Sequence, residues 1–133
     1  MKGERVDLFH GWEAIQRHFG YTQAIRTGNT VYVSGTGSLD ENFGLLHPGD
    51  MLAQMRVIYA RIGEALAHFS IGYNHIVREN MFVTDIDALM PAMDFRKSIY
   101  GDGPFPTSTT VEVSRLFVPG MLIEIETIAY IPD

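Results

Sequence analysis

The stretch Asp50–Phe69, DMLAQMRVIYARIGEALAHF, decides the fold predicted for this chain. Its apolar residues recur at spacings of three and four, which places them on one face of a helix. They are Met51, Met55, Ile58, Ile62, Leu66 and Phe69. We expect the helix to end at Gly72. Because a helix with one apolar face must bury it against a second layer, the flanking segments have to supply that layer.

Upstream of this helix, the pattern predicts a shorter helix and a β-hairpin. The shorter helix covers Gly11–Phe19, with Gly20 as its stop signal. The strands Tyr21–Arg26 and Thr30–Ser34 are rich in β-branched and aromatic residues and flank a Thr-Gly-Asn turn. The glycine-rich segment Gly35–Gly49 has no periodicity and is predicted to be a loop.

Downstream, Ile76–Thr84 is predicted to be a strand, and Asp85 can cap a helix that runs to about Tyr100. Two further strands, Ser108–Leu116 and Met121–Ile131, follow a loop rich in glycine and proline. This order predicts an α+β fold in which a mixed sheet carries two helices on one face. We expect other subunits to cover the second face of the sheet, so the chain is predicted to oligomerise.

Composition predicts a single globular domain over residues 1–133. Hydrophobic residues make up 46% of the chain, the net charge is −6, and the ten basic residues are scattered. Nucleic-acid binding usually needs a basic stripe, so a nucleic-acid partner is disfavoured. No apolar run approaches the roughly 18 residues of a membrane span, and the N-terminus lacks the apolar core of a secretory signal. The absence of cysteine excludes thiol chemistry and favours the cytoplasm.

Familiar metal and cofactor motifs are missing from the sequence. The five histidines show neither HExxH nor HxH spacing. The segment Ser34–Gly37 matches neither of the phosphate-binding patterns GxGxxG and GxxxxGK[ST], and a strand that ends in a glycine-rich loop explains it better. We therefore expect no metal and no cofactor.

The last strand carries two glutamates on one face. Strict alternation places Glu124 and Glu126 together, while Ile123 and Ile125 mark the opposite face as buried. Two interpretations stay open. Both glutamates can be solvated, or one can lie in a partly desolvated cleft, where its pKa rises and it can act as a general acid/base near neutral pH.

Short motifs along the chain occur in the order and at the separations of a known family. They are Gly20–Ile25 (GYTQAI), Val31–Gly35 (VYVSG), Gly49-Asp50, Ala53-Gln54, Val83–Asp85 (VTD), Glu112–Leu116 (EVSRL) and Ile123–Glu126 (IEIE). Together they resemble the Rid (YjgF/YER057c/UK114) family over about residues 12–131. The resemblance implies a chorismate-mutase-like fold and a homotrimer with a β-barrel-like core and a cleft between each pair of subunits.

The resemblance also implies a chemistry. Known members hydrolyse 2-imino acids and their enamine tautomers to 2-keto acids and ammonia without a cofactor. By correspondence of motifs, Glu124 is expected to position the hydrolytic water, and Tyr21, Ser34 and Gly35 are expected to line the cleft.

One position departs from the family pattern. The family motif P-x-R-[ST] carries an arginine that grips the substrate carboxylate, whereas Pro106–Thr109 has Ser108 there. Losing a charged bidentate contact in a desolvated site costs several kcal/mol. Arg26, Arg96 or Arg115 could supply a replacement. Arg115 is a poor one, because its separation from Ser108 places the two side chains on opposite faces of a strand.

Two functions stay open at this point. One is a deaminase or tautomerase for an imine or enamine metabolite, in which Glu124 is the general acid/base and Ser108, Thr110 and Tyr21 shape a cleft for a less acidic substrate. The other is a homotrimer that binds a neutral or aromatic small molecule without turning it over. Endoribonuclease activity fits poorly with the net charge of −6. Whether Glu126 or Glu13 also reaches the cleft is left open.

Overall fold

The computed structural model describes residues 6–133. The first five residues, part of the segment in which no secretory signal is predicted, lie outside this range. The helices and strands, in chain order, are β1 (Val6–Phe9), α1 (Glu13–Phe19), β2 (Ala24–Thr27), β3 (Thr30–Gly37), α2 (Met51–His68), β4 (Ile76–Val83), α3 (Ile86–Leu89), α4 (Met93–Ile99), β5 (Thr107–Glu112) and β6 (Ile123–Tyr130). Short 3-10 turns lie at Tyr73–His75 and Met90–Ala92.

The strands form one mixed sheet in the order β1-β2-β3-β6-β4-β5. Neighbouring strands are antiparallel except for β4 and β5, which run parallel. Helix α2 buries its apolar stripe completely, with Met55, Ile58, Ile62 and Leu66 at 0% exposure. The predicted α+β fold with a mixed sheet is confirmed; α2 packs against β3 and β6, and α3 and α4 pack against α2.

Strand β2 covers Ala24–Thr27 rather than Tyr21–Arg26, and two more elements in the first half of the chain differ from the prediction. Strand β1 was not predicted; it pairs with β2 and places Leu8 opposite Ile25. Helix α2 ends at His68, before Gly72, because Ser70 adopts the left-handed backbone conformation at φ 61°.

Three further boundaries differ. Strand β3 extends to Gly37, past the predicted loop start, because it keeps pairing with β6. The second predicted helix is divided into α3 and α4 at Met90–Ala92, where Pro91 lacks the N–H that an uninterrupted helix needs. Strand β5 ends at Glu112, short of Leu116.

The sheet face turned away from α2 is uncovered within one chain. Tyr32 lies opposite Ile128 on this face and is 48% exposed. Polar side chains share the face. Arg78 Nη2 donates to Thr109 Oγ1 at 2.6 Å, and Asn80 Nδ2 donates to Glu126 Oε1 at 2.9 Å.

A buried carboxylate ties the helices to the sheet. Glu79 on β4 is fully buried and accepts hydrogen bonds from Tyr59 Oη at 2.6 Å, Tyr100 Oη at 2.5 Å and Arg96 Nε at 2.7 Å. Burial, and then the charge of Glu79, raise the pKa of both tyrosines, so both hydroxyls stay protonated and act as donors. This cluster joins α2, β4 and the end of α4. No helix among residues 6–133 combines the length and the hydropathy that crossing a membrane requires.

Candidate active site

A cavity of about 440 Å³ opens beside the pairing of β3 with β6, within the volume range of small-molecule sites. Its walls come from the end of α1 and the connection to β2, from β3 and the loop after it, from α2, from the loop between β5 and β6, and from β6. The lining residues are Phe19, Tyr21, Ser34, Gly35, Gly37, Leu39, Phe43, Arg61, Phe117, Met121 and Glu124. Tyr21, Ser34, Gly35 and Glu124, all predicted from the sequence, therefore lie together in one chain.

A bulge in β3 places Glu124 against the backbone. The register between β3 and β6 shifts between Val33 and Thr36, which leaves Ser34 and Gly35 in the irregular stretch. A Cβ atom on Gly35 would collide with Glu124 Oε1, so the carboxylate lies directly over the Gly35 Cα. Only glycine allows this approach.

Hydrogen bonds hold Tyr21 and Ser34 in the cavity wall. Helix α1 ends at Gly20, whose φ of 80° turns the chain, and the Tyr21 amide donates to the Gln16 carbonyl at 3.0 Å. Ser34 Oγ donates to the Thr22 carbonyl at 2.6 Å. Beneath them, the buried Gln16 Nε2 donates to Gln23 Oε1 at 3.0 Å and ties α1 to the hairpin.

Two features of the cavity raise the pKa of Glu124. Burial, and then the nearby charge of Glu126, raise the pKa of Glu124 above the ordinary range of a carboxyl. Burial also raises the pKa of Tyr21; the charge of Arg61 opposes this shift and that of Glu124 adds to it. Of the two interpretations of the last strand, the geometry favours a partly desolvated Glu124. Glu126 instead accepts from Asn80 on the uncovered face.

Replacing Gly35 by alanine is expected to displace the Glu124 carboxylate, because the new methyl group would occupy its place. The far end of a glutamate can rotate away, so we expect a folded protein that has lost most of its ligand binding or activity. Gly72→Ala is the matched control, since a Cβ atom there meets only Asn74 Oδ1 at 3.4 Å. Circular dichroism and ligand titration of both variants measure the effect. A Gly35→Ala protein with unchanged binding and activity would contradict this placement.

The other two predicted site residues lie elsewhere in the chain. Ser108 and Thr110 are on β5, at the edge of the sheet, with β4 and β6 between them and β3. They pair with Glu79 and Met81, whose side chains are buried on the helix side of the sheet. Within one chain, neither residue lines the cavity.

None of the three arginines considered as replacements reaches the cavity either. Arg26 Nε donates to the Gly28 carbonyl at 2.9 Å, Arg96 is paired with Glu79 at 2.7 Å, and Arg115 is exposed. The cation that lines the cavity is Arg61. The sequence pattern of α2 places it among the polar residues beside the apolar stripe, so no local signal distinguishes it.

Arg61 lies over the ring of Trp12, with its guanidinium carbon 3.4 Å from the ring centroid. The cavity also contains three phenylalanines that the sequence did not single out, Phe19, Phe43 and Phe117. Phe19 is the last residue of α1, Phe43 lies in the loop after β3 and Phe117 lies in the loop before β6, so the three meet only in the folded chain. Among the residues that the structure describes, no group of three acidic or histidine side chains is arranged to hold a metal ion.

The fold and the cavity together define the class of protein. It is a small α+β domain in which a half-buried glutamate of the last strand lines a cavity beside a glycine bulge. The chain belongs to the endoribonuclease L-PSP family, whose model matches residues 12–131. The predicted resemblance to the YjgF/YER057c/UK114 family is confirmed by a member of it from Mycobacterium tuberculosis. That structure superposes with a TM-score of 0.81 at 30% identity over 95% of this chain and 99% of the other.

Two curated relatives are of similar length. The chain is 28% identical to the 2-iminobutanoate/2-iminopropanoate deaminase of Mus musculus, over 82% of this chain and 79% of that protein. It is 32% identical to the mitochondrial protein mmf2 of Schizosaccharomyces pombe, over 82% of this chain and 86% of that protein.

Proposed function

We propose that this protein hydrolyses a small imine, or its enamine tautomer, to a carbonyl compound and ammonia. The observation that carries the proposal is Glu124, a half-buried carboxyl with a raised pKa that lines a small-molecule cavity beside Tyr21 and Gly35. The similarity to a mammalian imine deaminase supports the same reaction class. RNA hydrolysis has less support, because the chain carries a net charge of −6.

The reaction needs one group that both accepts and donates a proton. For an enamine, the protonated Glu124 donates its proton to the terminal carbon, which gives the iminium ion. The Glu124 carboxylate then takes a proton from water while the water oxygen bonds to the C=N carbon. Glu124 returns that proton to nitrogen, which makes ammonia the leaving group. The C–N bond then breaks as the hydroxyl group becomes C=O, and Glu124 takes the hydroxyl proton, which restores its protonated form. A raised pKa strengthens this carboxylate as a proton acceptor in the water step.

The test is ammonia release from imines generated in place by an amino-acid oxidase. We expect the protein to accelerate ammonia release above the spontaneous rate. A compound that raises the melting temperature but is recovered unchanged, with no acceleration for any imine, would instead indicate the non-catalytic binding protein.

We further propose that the protein is a homotrimer with its clefts between subunits. The exposed Ser108 and the half-buried Thr110 on β5, which do not reach the cavity of their own chain, would then contribute to that of a neighbour. The uncovered face around Tyr32 would supply the interior of the assembly. We also propose that residues 1–133 of each subunit form a single domain.

Sedimentation velocity is expected to show a species of three times the 14.9 kDa chain mass. Tyr32→Glu should shift the distribution to smaller species, since it buries a charge in the assembled face. Glu41→Gln, at an exposed loop position, is the control. A stable monomer at micromolar concentration would contradict the trimer and the intersubunit cleft.

The cytoplasmic location stays a prediction from the lack of cysteine. The fission-yeast relative is mitochondrial, and cell fractionation would distinguish the two compartments.

A further inference from the structure

The cavity contains a cation, Arg61, whose N–H groups make no hydrogen bond to the described residues. Arg17 and Arg96 form salt bridges with Glu13 and Glu79, whereas Arg61 forms neither a salt bridge nor a hydrogen bond with any residue from 6 to 133. Its side chain is partly buried. Burial lowers the pKa of Arg61, but an arginine remains protonated at physiological pH. Tyr21 and Glu64 are close enough to oppose that shift, but a partly buried guanidinium whose N–H donors make no hydrogen bond to the described residues is suited to a ligand.

Trp12 fixes the orientation of this cation. The indole ring covers one face of the Arg61 guanidinium at 3.4 Å. Stacking engages the face of a guanidinium and leaves the N–H donors along its edge available, in the fork that matches a carboxylate. Glu124 does not use these donors, because no salt bridge within 4.0 Å joins it to Arg61 among residues 6–133.

A second, apolar feature borders the same cavity. Phe19 and Phe43 are stacked with ring centroids 5.2 Å apart, and Phe117 packs edge-on against both, at 5.4 and 6.0 Å. Despite these contacts, Phe19 is 48% exposed and Phe117 is 66% exposed. Among the described residues, Arg61 is the cation that lines this cavity. Open aromatic faces beside it favour a ligand that is apolar at one end and anionic at the other.

We propose that Arg61, held by Trp12, binds the substrate carboxylate in place of the arginine missing at position 108, and that the three phenylalanines receive a large apolar side chain. The substrate class is then a 2-imino acid with a bulky or aromatic side chain. The reaction rests on the proposed function, but carboxylate binding does not. Such a substrate carries a carboxylate, whereas Ser108 alone led us to expect a less acidic one.

Binding of stable 2-oxo acids tests the inference without turnover. The probes are benzoylformate, which carries the carboxylate and an aromatic group, its neutral amide, and pyruvate, which lacks the ring. We expect the wild-type protein to bind benzoylformate at least about 10-fold more tightly than the amide in calorimetric titrations, because the amide loses the charge-assisted pair. Arg61→Gln should remove this preference, and Arg61→Lys, which keeps the charge but not the fork, should keep part of it.

Arg56→Gln is the matched control, since Arg56 also lies on α2 and stacks on an aromatic ring, that of Phe95, at 4.5 Å, but does not line the cavity. It should bind all three probes like the wild type. Phe117→Ser removes an exposed ring and should reduce the preference for benzoylformate over pyruvate.

Equal wild-type affinity for benzoylformate and its amide would overturn the inference without any variant, as would an Arg61→Gln protein that keeps the preference. The proposed function is tested separately. If Arg61 controls carboxylate binding while no imine releases ammonia faster than it does spontaneously, the anion site stands and the deaminase does not. Glu124→Gln is expected to keep the carboxylate preference, which separates binding from chemistry.

Discussion

Replacing Glu124 by glutamine is expected to lower the rate of ammonia release by about 10²–10⁴-fold, the usual contribution of a general acid/base. Glutamine keeps the size and the hydrogen-bonding atoms of the side chain but can no longer accept and return a proton. Glu126→Gln is the matched control, because Glu126 is on the same strand face but does not line the cavity. It should stay active. Equal ammonia release by the wild type and Glu124→Gln would refute the mechanism.

The same two variants predict a pH dependence. Since the charge of Glu126 raises the pKa of Glu124, Glu126→Gln is expected to shift the pH–rate profile of the wild type toward lower pH. An unshifted profile would mean that Glu124 is not the group that titrates in the reaction.

Stability should also depend on pH through Glu124. A carboxyl whose pKa is raised by folding binds its proton more tightly in the native state, so the free energy of unfolding falls as pH rises through the interval between the two pKa values. Above that interval the wild type carries a constant penalty, and Glu124→Gln should be at least as stable. The difference should disappear below about pH 4, near the pKa of an unfolded glutamate. Urea unfolding of the wild type and of Glu124→Gln, below about pH 4 and again above that interval, measures the difference in the free energy of unfolding. Both proteins are compared at the same concentration.

Replacing Glu79 by alanine is expected to lower the free energy of unfolding by about 3–5 kcal/mol, the usual effect of removing one partner of a buried ion pair. The change would leave the Arg96 guanidinium, 13% exposed, without its carboxylate, and the hydroxyls of Tyr59 and Tyr100 without an acceptor. Urea unfolding measures the loss. Glu64→Ala on the exposed face of α2 is the control and should change stability by less than about 0.5 kcal/mol.

Should the Glu79→Ala protein fail to fold, Tyr100→Phe removes a single donor and leaves the ion pair in place. We expect that variant to lose about 1 kcal/mol. A Glu79→Ala protein that is as stable as the wild type would show that the cluster contributes nothing net.

The spacing of apolar residues predicted several parts of the fold. The spacing of three and four in Asp50–Phe69 predicted α2, and its stripe is fully buried. The alternation in Ile123–Tyr130 predicted which residues of β6 face the core. Strand β1 was missed because its pairing partner, β2, lies beyond α1 in the sequence.

Glu124 illustrates the limit of sequence reasoning, because strand alternation left open whether its carboxyl is solvated or lies in a cleft. Chemical type, strand alternation and the family motifs were enough to select Glu124, Tyr21, Ser34 and Gly35, because these signals are local. The contact of Glu124 with Gly35 depends on a register shift between two strands that are far apart in the chain. Local patterns carry no information about such a shift.

The cation of the cavity depended on tertiary structure alone. Arg61 lies on α2, whereas Trp12 directly precedes α1. Only packing brings the guanidinium over the ring. The sequence determined an α+β fold with a glutamate poised on its last strand. The tertiary structure decided which arginine shares the cavity with it, because the direction of a long, flexible side chain is set by its neighbours in space rather than by its neighbours in sequence.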